Sequence, residues 1–231
     1  MSKKTKVKTE NRVEGVEQAL TRMEQFIETY QKQIVRIVGV ILAIVVIYIG
    51  FQRFYVEKQS QKAAEQMFPA EQYFEKDDWE KALDGDGNNL GFTEIVSDFK
   101  FTPSANLAKY YAGLCYLHLG EYEDAISYLS RFRSRDRILS SIALGGIGDA
   151  HAQLGNTDKA ISFYKKAADR KSNDFTTPLY LLRAGILLEN EGRLDEACKL
   201  YERIKTDYAV STEGRTIDKY IARVKVKQGG N

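Results

Sequence analysis

One phrase occurs three times along the chain at nearly constant spacing. LGEYEDAISYL begins at Leu119, LGNTDKAISFY begins at Leu154 and EGRLDEACKLY begins at Glu191. Aligning the phrases brings one alanine of each into register, 35 and 37 residues apart. Self-similarity at a period of about 34 residues is typical of an array of helix–turn–helix hairpins. The alanines in register are Ala125, Ala160 and Ala197.

Three further positions keep the same register, and each has a physical role in a helical hairpin. A glycine lies twelve residues before each alanine, where a small residue on the first helix lets the second helix cross closely. A second glycine, five residues before each alanine, is suited to the left-handed cap that ends the first helix. A large residue follows each alanine by four positions, and we expect it to fill the gap between successive hairpins. These positions are Gly113, Gly148 and Gly185, then Gly120, Gly155 and Gly192, and finally Leu129, Tyr164 and Tyr201.

The pattern resembles the tetratricopeptide repeat over about residues 104–206. The resemblance implies an α-solenoid that serves protein–protein interaction. We therefore predict an all-α protein in which residues 57–231 form three to four helical hairpins. A C-terminal capping helix at about 213–228 would close the open end of the solenoid, because its apolar residues form one stripe. That stripe consists of Ile217, Tyr220, Ile221 and Val224.

A degenerate hairpin precedes the three regular ones. The stretch YFEKDDWEKAL at 73–83 supplies Trp79 and Ala82 at the expected places. Asp77 replaces the turn glycine, however, and Pro69 falls inside the first helix. Because the helical phase is also lost in DGDGNNLG, we expect a distorted second helix.

An uncharged stretch of sixteen residues, IVGVILAIVVIYIGFQ, separates Arg36 from Arg53. It is too long for a strand, whereas a helix of this length with snorkelling arginines covers the hydrocarbon core of a bilayer. Its eleven Ile, Leu, Val and Phe residues contribute roughly −3 to −7 kcal/mol to membrane insertion. The sequence therefore predicts one transmembrane helix at 34–56.

The basic N-terminus MSKKTKVK favours a cytoplasmic segment 1–33, and the domain 57–231 would then be exported. The reverse topology, with the domain facing the cytosol as a receptor or chaperone adaptor, is the alternative. Small residues lie on one face of the span, where they permit close helix packing in lipid. They are Gly39, Ala43 and Gly50.

Apolar residues also recur at heptad spacing before the span, between Val13 and Ile34. This seam fits a short coiled coil that joins copies of the chain, a helix that faces another partner, or a simple juxtamembrane helix. The seam residues are Val13, Val16, Leu20, Met23, Ile27, Tyr30 and Ile34.

No motif for catalysis, a cofactor or a metal stands out. DGDGNN from Asp84 lacks the glycine and glutamate of a calcium loop, so we interpret it as a turn. His118 and His151 have no paired ligands, and the balanced domain offers no basic face for nucleic acid. RFRSRDR at 131–137 fits either a solvated turn or a site for an anionic partner. We therefore predict a protein that is not an enzyme and has no cofactor.

The layout of a basic N-terminus, one span and a repeat domain is similar to that of the ancillary subunit family of the SecYEG translocon. This resemblance implies an inner-membrane protein with a periplasmic repeat domain, whose partners would be translocon subunits or periplasmic chaperones.

The first helices of a repeat array line its concave groove, and their apolar residues at spacings of three and four predict the partner site. Gly145 and Asp149 of the third hairpin would leave a dip between two apolar walls. The alternative is that these apolar residues belong to the core. The predicted groove residues are Leu107, Tyr110, Leu114, Leu179, Leu182 and Ile186.

Overall fold

The computed structural model describes residues 30–33 and 35–229. Within the chain, two compact units are distinguished, Met1–Val56 and Glu57–Asn231, and we call the second the repeat domain. The heptad seam between Val13 and Ile34 lies outside the described residues except for Tyr30. The predicted segment 1–33 is described only from residue 30 onward.

The first unit contains an apolar helix, α1, whose described residues are 30–33 and 35–50, followed by the π-helical turn Phe51–Val56. The apolar side chains of α1 are exposed, and this helix is long and apolar enough to cross a membrane. A Cβ atom added at Gly39 or Gly50 would meet no atom within 4 Å, and Ala43 is exposed. The small-residue face therefore stays a prediction.

Ten α-helices follow in the described part of the repeat domain, which contains no strand. They pair in sequence: α2 with α3 and α4 forms hairpin 1, α5 with α6 hairpin 2, α7 with α8 hairpin 3, and α9 with α10 hairpin 4. This arrangement confirms the predicted all-α solenoid. The helices are α2 (Glu57–Glu75), α3 (Trp79–Asp84), α4 (Phe92–Asp98), α5 (Pro103–Leu119), α6 (Tyr122–Arg131), α7 (Arg137–Gln153), α8 (Thr157–Asp169), α9 (Thr176–Asn190), α10 (Leu194–Asp207) and α11 (Ile217–Gly229).

The turn glycines adopt the left-handed conformation that the repeat predicts. Gly120, Gly155 and Gly192 have φ angles of 85°, 73° and 72°. A side chain is strained in that conformation, so glycine ends the first helix at low cost and lets the chain reverse. The three register alanines are fully buried where the two helices of each hairpin meet.

The small residues on the first helices receive the large residues of the second helices. A Cβ atom at Gly113 would lie 2.6 Å from Cγ of Leu129, and one at Gly148 would lie 2.7 Å from the ring of Tyr164. A Cβ atom at Gly185 would overlap the ring of Tyr201. The large residue therefore packs within its own hairpin. It also reaches the next hairpin, because a Cβ atom at Gly146 would lie 2.9 Å from Cδ1 of Leu129 and the ring of Tyr164 stacks with that of Tyr180. The expectation that it fills the gap between successive hairpins is confirmed for these two residues.

Hairpin 1 shows the predicted distortion. Asp77 takes the place of the turn glycine with φ of 58°, a left-handed conformation that aspartate tolerates better than most residues. Pro69 lies inside α2. The second helix is divided into α3 and α4 by a turn in which Asp86 accepts hydrogen bonds from the N–H groups of Asn88 and Asn89. Those bonds give DGDGNN its turn structure.

The last helix, α11, packs mainly against α10 and covers the end of the array. Ile217, Ile221 and Val224 are buried there, while Tyr220 is half-buried. A 3₁₀ turn, Gly214–Thr216, leads into this helix. The predicted capping helix is thus present.

Candidate interaction surfaces

Five of the six predicted groove residues are half-buried, and one is buried. Leu107, Leu114, Leu179, Leu182 and Ile186 keep part of their side chains exposed. Tyr110 is only 6% exposed, and its ring centroid lies 5.2 Å from that of Phe132. Burial raises the pKa of Tyr110 to about 12. Tyr110 is therefore a core residue at the contact between hairpins 2 and 3.

The predicted dip at Gly145 and Asp149 is filled. A Cβ atom at Gly145 would overlap the ring of Tyr180, which reaches across from α9 and is buried. Asp149 accepts a hydrogen bond of 2.7 Å from the hydroxyl of Tyr164 and forms an ion pair with Arg183. The expectation of a dip was wrong because the next hairpin supplies a large side chain opposite the glycine.

Charged and polar groups join hairpin 3 to hairpin 4. Besides the Asp149–Arg183 pair between the first helices, two ion pairs form between Asp158 and Arg193 at 2.8 Å and between Asp169 and Arg203 at 2.9 Å. Lys165 also lies 3.3 Å from Glu196. The members of the first three pairs are 34 or 35 residues apart, two or three residues short of the 37 that separate equivalent positions of the two hairpins.

A buried carboxylate joins hairpin 4 to α11. Glu189 is 4% exposed and accepts hydrogen bonds from Arg223 at 2.6 and 2.7 Å and from Lys227 at 2.8 Å. The hydroxyl of Tyr201 donates to the same carboxylate at 3.2 Å. The hydrogen bonds from Arg223 and Lys227 lower the pKa of Glu189 from 4.5 to about 2.

The contact between hairpins 2 and 3 has a different character. Helix α6 ends at Arg131, earlier in its hairpin than α8 or α10, and the chain stays non-helical until α7 begins at Arg137. A cleft of about 640 Å³ remains beside α8. Its walls are apolar at Leu129, Phe132, Ala143, Leu144, Ile147 and Phe163, and polar or basic at Ser130, Arg133, Ser134, Arg135, Ser140 and Arg170.

The arginines around this cleft form no ion pair with a carboxylate among the described residues. Arg133 donates instead to the carbonyl oxygens of Ser130 and Phe132, at 2.6 and 3.0 Å. Burial lowers the pKa of Lys109, and the positive charges of Arg131 and Arg133 lower it further. The cleft is therefore an apolar depression bordered by arginines that have no carboxylate partner among the described residues. The sequence signal for it was RFRSRDR, although the extent of the cleft depends on where α6 ends.

Within residues 30–33 and 35–229, no group of three or more His, Cys, Asp and Glu side chains could hold a metal ion. His118 stacks on Trp79 with ring centroids 4.1 Å apart, and His151 lies against Phe163. Cys115 is buried, which raises the pKa of its thiol to about 12.

Three family models of the tetratricopeptide repeat match the chain, over residues 92–138, 142–174 and 180–209. The matches begin at α4 and end just after α10, so most of hairpin 1 lies outside them. No curated protein sequence matches the chain. The repeat matches agree with the glycine and alanine register and support a tetratricopeptide-repeat protein.

Proposed function

We propose that this tetratricopeptide-repeat protein is a membrane-anchored scaffold that binds protein partners and has no catalytic role. The observation that carries the proposal is the agreement of the three repeat matches with a solenoid of stacked hairpins. Such repeats serve protein–protein interaction, and their extended surfaces suit the recognition of other chains.

The proposed anchor is residues 34–56. The apolar side chains of α1 are exposed, and the helix, described from Tyr30 onward, has the length and composition of a membrane span. Lipid is the solvent in which such exposure is favourable. The basic N-terminus favours an inside orientation, which would place the repeat domain in the periplasm of a cell with an inner membrane. The reversed orientation is the alternative.

The proposed partner surface is the apolar side of the first helices, formed by Leu107 and Leu114 in α5 and by Leu179, Leu182 and Ile186 in α9. A half-buried aliphatic surface of this kind fits the apolar face of a partner helix. By the layout of the chain, translocon subunits and periplasmic chaperones are the proposed partner classes. A contact between copies of the chain through the seam before the span, or through Gly39, Ala43 and Gly50, is also proposed.

Protease accessibility tests the topology. In intact spheroplasts expressing the full chain, protease added outside should degrade the repeat domain and leave the N-terminal segment protected. Protection of the repeat domain, with degradation only after lysis, would establish the cytosol-facing alternative.

Site-specific crosslinking tests the surface. A photoreactive residue at Ile186 should give partner adducts in cells, whereas the same group at Val226, which is 74% exposed on α11, serves as the control. Leu182→Asp should remove the adducts formed at Ile186 without unfolding the domain. Adducts that survive this substitution would place the partner elsewhere.

A further inference from the structure

The connections from each second helix to the next first helix carry exposed apolar side chains. One such residue lies at or beside each of the four connections: Phe101 is 67% exposed, Ile138 43%, Phe175 64% and Val210 78%. We call the edge of the solenoid formed by these connections the apolar edge. Only Phe68 and Val226 are comparably exposed large apolar residues elsewhere in the described repeat domain.

The opposite edge is formed by the turns within the hairpins, and it has another composition. Residues 76–78, 120–121, 154–156 and 191–193 are mostly glycine, charged or polar, and no large apolar side chain is exposed in them. Single exposed apolar residues are ordinary on protein surfaces, but here one lies at or beside every connection and none lies in the turns within the hairpins.

Hydrogen bonds link three successive parts of the apolar edge. The side chain of Asn106 accepts a hydrogen bond from the N–H of Arg133 and donates one to its carbonyl oxygen, at 3.1 and 2.7 Å. Arg137 donates to the carbonyl oxygen of Ser172, and Lys171 donates to that of Arg135, both at 2.6 Å. These bonds link the start of α5, beside Phe101, to the connections beside Ile138 and at Phe175.

The arginine-rimmed cleft lies at the same edge. Three of its basic residues, Arg133, Arg135 and Arg170, belong to or border the connections that form the edge. Because no carboxylate of the described residues pairs with them, their charge is available to an anionic ligand. Apolar side chains beside unpaired arginines are the composition of a surface that binds anionic lipid at the bilayer interface.

The direction of the chain favours a bilayer as the ligand of the apolar edge. The first helices of the hairpins run in the same direction, so the N-terminal end of α2 belongs to the edge where α5, α7 and α9 begin. The chain enters the repeat domain at Glu57, directly after the turn Phe51–Val56 that ends the proposed anchor. An anchored domain thus has lipid headgroups at high effective concentration beside this edge.

We propose that the apolar edge of the repeat domain binds the surface of an anionic bilayer. Phe101, Ile138, Phe175 and Val210 enter the interfacial layer, and the three arginines of the cleft contact lipid phosphates. The proposal rests on the proposed membrane anchor. A bilayer explains the surface better than an acidic peptide does, because a peptide seated in the cleft would leave Phe101 and Val210, on the outer connections, uncovered.

The test measures the depth of spin labels on the full chain in lipid nanodiscs. Phe101→Cys and Phe175→Cys, each in a Cys198→Ala background, report on the edge, and Phe68→Cys and Val226→Cys are the matched exposed controls. Cys115 stays unlabelled because it is buried. In discs with three parts phosphatidylglycerol to seven of phosphatidylcholine, the edge labels should be at least about threefold less accessible to a water-soluble nickel chelate than the control labels.

Charge reversal distinguishes a specific contribution of the cleft arginines from a general effect of net charge. Arg135→Glu with Arg170→Glu should restore nickel access to the edge labels by about threefold or more. Lys159→Glu with Lys199→Glu changes the net charge equally at exposed lysines without ion pairs, and it should leave the labels protected. Pure phosphatidylcholine discs should give weaker protection than anionic discs.

Three results would overturn the inference. The first is equal nickel access at edge and control labels in anionic discs, and the second is equal sensitivity to the two charge reversals. The third is binding of a soluble acidic peptide that depends on Arg135 and Arg170 while the edge labels stay in water. Failure of the unlabelled full chain to float with liposomes would instead contradict the proposed anchor, so the two failures are distinguishable.

Discussion

The contact between hairpins 2 and 3 differs from the two contacts that follow it along the array. Hairpins 2, 3 and 4 each place a large residue of the second helix over a glycine of the first helix. In hairpins 3 and 4 that residue is a tyrosine, Tyr164 or Tyr201, whose hydroxyl donates to a carboxylate that an arginine of the next element also binds. In hairpin 2 it is Leu129, which has no hydroxyl to donate.

This difference shows that one helical geometry can be held by two kinds of chemistry. The later contacts are fixed by hydrogen bonds and ion pairs, whereas the earlier one depends on apolar packing and leaves a cleft with unpaired arginines. In a solenoid, stability is approximately the sum of terms within hairpins and between neighbours. A ligand bound at the contact between hairpins 2 and 3 would therefore increase the stability of the array more than one bound at the later contacts.

The largest predicted effect is at the contact between hairpin 4 and α11. Glu189→Ala should lower the free energy of unfolding of the full chain by about 3 kcal/mol, because Tyr201, Arg223 and Lys227 lose a buried partner. Chemical denaturation in detergent measures the change. Glu202→Ala is the control, since its pair with Lys225 is exposed and should cost less than about 0.5 kcal/mol. Equal losses in the two variants would contradict the buried contact.

The same carboxylate predicts a dependence on pH. The pKa of Glu189 is about 2 in the folded chain against an ordinary 4.5, so the unfolded chain takes up this proton first as the pH falls. The stability from this group is fully present above pH 4.5 and is lost as the pH falls to 2. Relative to Glu189→Gln, the wild-type chain should lose up to about 3 kcal/mol over that range. If the free energy of unfolding changes equally with pH in the two proteins over this range, the prediction is wrong.

A smaller effect is predicted between hairpins 3 and 4. Tyr164→Phe should destabilise the chain by about 1 kcal/mol, because the hydrogen bond to Asp149 is lost while the Asp149–Arg183 pair remains. Tyr122→Phe in hairpin 2 removes a hydroxyl that forms no hydrogen bond with the described residues, and its melting temperature should match that of the wild type. If Tyr164→Phe also melts like the wild type, the contrast between the two contacts lies elsewhere.

The smallest predicted effect has the opposite sign. Ser130→Glu adds a carboxylate beside the unpaired arginines of the cleft, so it should be more stable than Ser130→Gln by about 0.5 kcal/mol. The difference should disappear at high salt because the new pair is exposed. A glutamate variant that is no more stable than the glutamine variant at low salt would show that the arginines are not free to pair.

The parts of the fold that follow from neighbouring residues could be predicted from the sequence. A left-handed glycine ends a helix locally, so Gly120, Gly155 and Gly192 located three turns without knowledge of the rest of the chain. The alanine register located the crossings for the same reason. Even the irregular hairpin was predictable, since Asp77 and Pro69 depart from the pattern in the sequence itself.

The interaction surfaces were less accessible to sequence reasoning because they depend on side chains that are distant along the chain. Nothing near Gly145 indicates that Tyr180 lies over it, and nothing near Tyr110 shows that Phe132 covers it. The cleft exists because α6 ends at Arg131, and helix ends are the least predictable part of a pattern. The arginine run was visible in the sequence, but whether its members had partners was not.

The ion pairs between hairpins 3 and 4 also bear on how the array can change length. By the glycine and alanine register, which shifts by 37 residues, Arg183, Arg193 and Arg203 of hairpin 4 correspond to Gly146, Asn156 and Lys166 of hairpin 3. A tandem duplication of hairpin 3 would therefore place these three residues opposite Asp149, Asp158 and Asp169, where only Lys166 could form an ion pair. A duplicated hairpin 4 would place its arginines opposite Ile186, Asp195 and Thr206, where again only one pair could form. Repeat genes gain and lose copies by recombination, but here each copy is suited to only one neighbour. The three ion pairs thus favour the present order of these two hairpins.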